Sequence, residues 1–163
     1  MATRRRRQAG CGLRADAAKG PPTLLIVDDE AQILSALERS LRREGYEIVA
    51  VESAAAALRV LEKRCVDVIL SDHKMPGMSG VQLLARAAEM RPEAVRMLIT
   101  GWVDEIPAER LEEAGICALV TKPWDDAKLK KTLRAAMGTA QAASSPEGDL
   151  DTRGQSSDYS LRR

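Results

Sequence analysis

Five short apolar runs punctuate the middle of this chain: Leu24–Val27, Ile48–Val51, Val66–Leu70, Met97–Ile99 and Ala118–Val120. Each has the length of a strand and is bounded by polar or turn-forming residues. Between the runs the apolar positions change period. Ile33, Leu34, Leu37 and Leu41 form one stripe of an amphipathic helix. Leu58 and Leu61 belong to a second, Ala-rich helix that Ser53 is placed to cap. Val81, Leu83, Leu84, Ala87 and Ala88 mark a third, ended near Pro92. Leu111 and Ala114 mark a short fourth, stopped by Gly115. Leu129, Leu133 and Ala136 define a fifth, with Asp125 and Asp126 at its start and Lys130, Lys131 and Arg134 further on, a polarity that suits the helix dipole.

Strict alternation of five strands and five helices predicts an α/β fold, a doubly wound parallel sheet with helices on both faces. Unbroken apolar runs are what strands covered on both sides require. In such a sheet ligands bind beyond the carboxyl ends of the strands, where the strand order reverses. The polar residues that end each run are therefore the candidates. They are Asp28, Asp29 and Glu30 after the first, Glu52 and Ser53 after the second, Ser71 and Asp72 after the third, Thr100 and Gly101 after the fourth, and Thr121, Lys122 and Pro123 after the fifth. An order 2-1-3-4-5 makes the first and third strands neighbours and brings Asp28, Asp29 and Asp72 together, with Thr100 and Lys122 to one side.

Composition sets the limits of the ordered body. The 163 residues suffice for one ordinary domain. Phe is absent, so the core is aliphatic. Residues 1–22 and 138–163 lack apolar periodicity and read as a disordered basic extension and a disordered tail around a domain at 23–137. The net charge of +1 conceals a division. Residues 1–20 carry six basic side chains (Arg4, Arg5, Arg6, Arg7, Arg14, Lys19) against Asp16, whereas residues 21–137 carry 16 basic and 19 acidic ones. A mildly acidic body argues against a nucleic-acid-binding fold. No apolar run approaches the length of a membrane span, and the start lacks the apolar stretch of a secretory signal; a cytoplasmic location is expected. One histidine, His73, and three dispersed cysteines leave no zinc site, and Cys65 and Cys117 read as small core residues.

Singly, Asp28 or Asp29 is as well explained as a helix cap. Five polar residues at the ends of four strands are harder to explain that way. Three clustered carboxylates raise one another's pKa unless a cation sits among them. An all-oxygen donor set with no Cys or His points to Mg²⁺. A carboxylate beside Mg²⁺ and a lysine can attack a phosphoryl group and form an acyl phosphate, while a hydroxyl donates to a phosphoryl oxygen.

The motifs LLIVDDE (Leu24–Glu30), LSDHKMPGMSG (Leu70–Gly80), LITG (Leu98–Gly101) and TKPW (Thr121–Trp124) resemble, in this order, the receiver domain of two-component response regulators. The resemblance spans about residues 23–137 and implies the flavodoxin-like fold. It makes Asp72 the phosphoacceptor, Asp29 a direct Mg²⁺ ligand, Asp28 a ligand through water and the Lys74 main-chain carbonyl a further ligand. Thr100 becomes the hydroxyl that moves to the phosphoryl group and Lys122 the cation that meets it. It also implies a cis Lys122–Pro123 bond, a loop shaped by Met75, Pro76 and Gly77, and a third helix starting at Gly80. Such a protein is no enzyme in the ordinary sense but assists its own phosphorylation and dephosphorylation. Its partners are a histidine kinase or phosphotransfer protein and a downstream protein, reached through the face of the fourth helix, fifth strand and fifth helix, where dimers also form.

The motif wording is most similar to receivers fused to cyclic-di-GMP phosphodiesterase or transcription-activator domains, and the length points to a stand-alone receiver or a phosphoryl relay. Two departures stand out. The aromatic residue that receivers usually carry three positions before the lysine is Leu119 here, and the position two after the threonine is the large indole of Trp102. Two other classes compete: a haloacid-dehalogenase-like phosphatase, which expects an acid where Lys74 stands, and a receiver-fold scaffold that is never phosphorylated.

Overall fold

The computed structural model describes residues 20–143. The strands are β1 (Thr23–Val27), β2 (Glu47–Val51), β3 (Val68–Asp72), β4 (Val95–Thr100) and β5 (Ala118–Thr121). The helices are α1 (Ala31–Leu41), α2 (Ala54–Lys63), α3 (Gly80–Met90), α4 (Ala108–Glu113) and α5 (Asp126–Ala143), with a short 3₁₀ turn at Val103–Glu105. All neighbouring strands pair in parallel, in the order β2-β1-β3-β4-β5. Among the described residues no helix is long and apolar enough to cross a membrane. The segment holding Arg4–Arg7 and the tail from residue 144 lie outside the described residues.

Alternation along the central strands divides the core in two. Leu24, Ile26, Val68, Leu70, Met97 and Ile99 face α1 and α5 and pack with Leu34, Leu37, Leu41, Leu129 and Leu133. Leu25, Val27, Ile69 and Leu98 face the other way, toward Ala57 and Leu61 of α2 and Leu83, Leu84 and Ala87 of α3. Because both faces are covered, both parities must be apolar. The edge strands are less enclosed: most of β2 and β5 is half-buried, as expected where one side of a strand has no neighbour.

Helix starts follow their caps. Ser53 Oγ accepts the Ala56 N–H at 3.1 Å, and Asp125 Oδ1 accepts the Lys128 N–H at 2.8 Å. At α3, Ser79 and Gln82 form a reciprocal capping box that the sequence reading passes over. Gly115 closes α4 with φ +62, the left-handed turn expected of it.

The structure moves several boundaries. β3 begins two residues later than its apolar run and ends on Asp72, because Asp67 is spent on pairing with Thr23. β4 begins at Val95, ahead of the run at Met97, since Arg96 interrupts the apolar pattern without leaving the strand. Its guanidinium turns aside and donates to the carbonyls of Ala94, Pro92, Ala114 and Gly115. α5 continues past Met137 to Ala143, through a sequence rich in helix-favouring Ala. Cys117, expected in the core, is exposed just ahead of the edge strand β5, and Cys65 is half-buried rather than enclosed.

Gly80 shows how tightly α3 is set against β3. A Cβ there would stand 2.0 Å from the Asp72 carbonyl oxygen and 2.8 Å from Leu98 Cδ1, whereas one at Gly138 in α5 would meet nothing within 4 Å. Gly80→Ala is therefore expected to destabilise the fold by about 1–3 kcal/mol as an overpacked site. Gly138→Ala should stabilise it by up to about 1 kcal/mol through helix propensity alone. Urea titrations of the two variants check the opposite signs.

Candidate functional site

The carboxyl ends of β1, β3, β4 and β5 bring the five predicted residues to one rim. Asp28 follows β1 directly, Asp72 and Thr100 are the last residues of β3 and β4, and Lys122 follows β5. Asp28, Asp72 and Thr100 are buried, Lys122 is half-buried and Asp29 is exposed. One carboxylate oxygen from each of Asp28, Asp29 and Asp72 lies within 4.8 Å of the others, the spacing of a cluster able to share a cation.

Lys122 binds this cluster together. Its Nζ donates to Asp28 Oδ2 at 2.7 Å and lies 3.0 Å from Asp72 Oδ1. The second oxygen of Asp28 accepts the Glu30 N–H at 2.9 Å, so the capping and site readings of this residue hold together. Burial raises the Asp72 carboxyl above its ordinary value; Lys122 opposes this and the Asp28 charge adds to it. Burial works against the Lys122 charge too, but its bonds to Asp28 and Asp72 outweigh that and the ammonium titrates above its usual range. The imidazole of His73 is pushed the other way, toward its neutral form, chiefly by burial.

Thr100 sits beside the cluster with its hydroxyl oxygen accepting the Trp102 N–H at 3.1 Å. The Lys122–Pro123 bond is cis, and the Lys122 N–H donates to the Thr100 carbonyl at 2.9 Å, fixing where the lysine stem begins. Beyond Asp72 the loop turns through Gly77 at φ +81, a left-handed conformation suited to glycine. Met75 and Met78 pack from this loop against the core.

The sequence singles out Lys74 and Trp102 but not Glu105, which joins them at the rim. The Lys74 ammonium lies 4.2 Å from the centroid of the Trp102 ring and 2.9 Å from Glu105 Oε2. The indole is the exposed large hydrophobic group of the described core region, at 56%. This cluster joins the loop after β3 to the turn after β4. No motif singles out Glu105; its only sequence signal is a place three residues after Trp102 on one 3₁₀ turn.

An all-oxygen rim of three acids with a lysine on its inner side is chemically suited to a hard divalent cation and a phosphoryl group. Comparisons with known proteins place the chain in a family. The sequence model of the response regulator receiver domain matches residues 24–134. The hydrogenase transcriptional regulatory protein HoxA of Bradyrhizobium diazoefficiens is 42% identical over 116 residues, covering 71% of this chain and 24% of that protein. The transcriptional regulatory protein GlrR of Escherichia coli is 35% identical over 129 residues, 79% of this chain and 28% of that protein. The chain thus spans about a quarter of the length of these relatives.

Among solved structures, the signal receiver domain of an HD domain-containing protein from Pseudomonas fluorescens superposes with a TM-score of 0.73 at 32% identity, covering 80% of this chain and 97% of that one. The response regulator TrrA of Thermotoga maritima, solved with Mg²⁺ and BeF, gives a TM-score of 0.65 at 26% identity over 71% of this chain and 98% of that one. By the match over residues 24–134, on a parallel sheet of order 2-1-3-4-5, the chain belongs to the response regulator receiver domain family.

Proposed function

We propose that the domain at about 23–137 accepts a phosphoryl group from a histidine kinase or phosphotransfer protein on Asp72, in a Mg²⁺-dependent reaction, and signals through the change in surface that follows. The observation that carries this reading is the buried Asp72 carboxylate held 3.0 Å from Lys122 within a three-acid cluster.

The residues present fit the cation. Both oxygens of Asp28 are already engaged, by Lys122 and by the Glu30 N–H, whereas Asp29 is exposed at the rim. That supports Asp29 and Asp72 as direct ligands with the Lys74 main-chain carbonyl, and Asp28 as a ligand through water. Mg²⁺ held there supplies neutralisation of the negative charge on the phosphoryl oxygens. The chain's own residues do the rest. An Asp72 oxygen attacks phosphorus in line, the bond from phosphorus to the donor's imidazole nitrogen breaks, and an acyl phosphate forms. Lys122 turns from neutralising Asp72 to meeting a phosphoryl oxygen. Thr100 swings its hydroxyl to another, which requires release of the Trp102 N–H.

Leu119 is half-buried and packs with the core that also holds Ile106 and Ala114. A branched aliphatic chain there supports signalling through movement of Thr100 and α4 rather than rotation of an aromatic ring. The face that moves comprises Asp104–Glu113, Cys117–Val120 and Lys128–Met137, where a downstream protein or a second copy docks. The dehalogenase-like reading lacks support at Lys74, whose side chain is committed to Trp102 and Glu105.

Incubation with acetyl phosphate and Mg²⁺ is expected to add one phosphoryl group, detected by intact mass. The gain disappears in Asp72→Asn and in excess EDTA. Sustained turnover of phosphomonoesters would replace the receiver reading with the phosphatase one, and failure to incorporate any phosphoryl group would leave the scaffold.

The burial of Asp72 has a pH signature that shows when metal is chelated. Its folded-state pKa is raised, so the folded chain holds this proton more tightly than the unfolded chain does. Stability from this group is full below the ordinary carboxylate value and is lost as pH rises through the folded value. Asp72→Asn should thus raise the melting temperature by a few degrees at neutral pH, with the gain vanishing as pH falls below the ordinary carboxylate range. Thermal melts across pH in EDTA test it, and an unchanged or lowered neutral-pH melting temperature contradicts the assignment.

Trp102 gives a kinetic expectation. Lys74 lies over its ring, and on this reading the bulk of the indole two residues after Thr100 crowds the water that would attack the acyl phosphate. Trp102→Ala should shorten the phosphoryl lifetime several-fold, measured by the decay of the phosphorylated mass after donor removal. An unchanged lifetime would assign the indole to partner binding instead.

A further inference from the structure

Lys74, Trp102 and Glu105 lie between the two segments that a reaction on Asp72 would use. Lys74 stands two residues after Asp72 on the loop beyond β3, and Trp102 stands two residues after Thr100, the end of β4. Glu105 is the last residue of the 3₁₀ turn Val103–Glu105. That turn is closed on Trp102 itself. The Glu105 N–H donates to the Trp102 carbonyl and the Ile106 N–H to the Val103 carbonyl, each at 3.2 Å. Three residues per turn set side chains at i and i+3 on one side, so the indole and the carboxylate meet a single ammonium. Lys74 Nζ lies 4.2 Å from the ring centroid and 2.9 Å from Glu105 Oε2. One lysine thus clasps both ends of the turn to the loop beyond Asp72.

We propose that Glu105 is a positioning residue for Thr100: by pairing with Lys74 it holds the turn after β4 in its resting place and opposes movement of the Thr100 hydroxyl toward a phosphoryl group. The inference rests on the phosphoacceptor reading of Asp72 and concerns regulation of that same site. The path is short. Thr100 Oγ1 accepts the Trp102 N–H at 3.1 Å, at the head of the turn. When the hydroxyl leaves, that partly buried N–H loses its acceptor and must find another, which requires the turn to shift. A shift of Trp102 and Glu105 away from Lys74 gives up a cation–π contact and an ion pair together. The clasp therefore favours the resting conformation, and the conformer able to meet a phosphoryl group is the minor one. Glu105 acts through Lys74 and Trp102, not on the reacting atoms.

Exposure sets the size of the effect. The Lys74 and Glu105 side chains are 51% and 54% exposed, and an exposed ion pair shifts an equilibrium by about two- to five-fold. A ligand that binds only the minor conformer has its apparent dissociation constant raised by the factor by which that conformer is depleted. The clasp tunes the switch; it does not lock it.

The test titrates the full chain with beryllofluoride, a phosphoryl mimic, in saturating Mg²⁺, reading the bound fraction by fluorine nuclear magnetic resonance. Glu105→Gln should lower the apparent dissociation constant about two- to five-fold. Lys74→Met, which keeps the main-chain carbonyl, should lower it as well. The double variant should bind no tighter than the tighter single one, because both substitutions open the same clasp. A merely structural contact would lower stability without tightening this binding. If Glu105 acted only as a bare charge repelling the anion, Glu105→Gln would tighten binding and Lys74→Met would weaken it. That pattern overturns the proposal, as does unchanged or weakened binding in Glu105→Gln, or additive tightening in the double variant. Failure of the parent itself to bind beryllofluoride overturns the phosphoacceptor reading and the clasp with it, whereas binding by the parent with unchanged affinity in both variants overturns the clasp alone.

Discussion

Lys122 holds the acidic rim together. Its backbone N–H donates to the carbonyl of Thr100, and its side chain reaches Asp72 at 3.0 Å and Asp28 at 2.7 Å. Asp28 is wholly buried. A carboxylate taken out of water without a partner is strongly destabilising, by about 3–5 kcal/mol when one member of a buried pair is removed. The lysine therefore makes it possible for β1 and β3 to end in acids side by side. The parallel register places those acids together, and the ammonium bonds to both of them.

The same interaction leaves the site under-compensated. One ammonium faces three carboxylates, and Asp72 stays above its ordinary pKa despite the lysine beside it. That surplus of negative charge is a disadvantage for folding and an advantage for function. A divalent cation relieves it, and so does any event that moves charge from Asp72 onto a group able to engage Lys122 and Thr100 together. A receiver that was fully neutralised at rest would have little to gain from binding metal. Instability at the rim and responsiveness at the rim share one cause.

Most of this was legible before any coordinates, for an identifiable reason. A parallel sheet buries its strands on both faces, so each strand appears as an apolar run and the residue that ends the run is the residue that reaches the rim. Asp28, Asp72, Thr100 and Lys122 were all readable as run ends. What escaped detection depends on side-chain direction rather than period. Arg96 sits within a strand yet turns its guanidinium to the carbonyls around Pro92 and Gly115. Glu105 meets Lys74 only because a 3₁₀ turn brings it back over the loop after β3. Cys117 looked like core because it adjoins an apolar run, but β5 is an edge strand with an open side. Periodicity reports which elements exist; it does not report which of them lies at the border.

The two ends of the sheet divide the work accordingly. At the carboxyl ends, Asp28, Asp29 and Asp72 bring one carboxylate oxygen each within 4.8 Å of the others, with Thr100 at the end of the strand beside Asp72. At the amino ends, polar groups are spent on the chain itself: Asp67 on Thr23, and Arg96 on five carbonyls. Their partners there are neutral peptide groups, whereas at the rim two acids share one ammonium. On the proposed reading, the route from Asp72 runs sideways through Thr100 to α4, along the end of the sheet where the acids cluster.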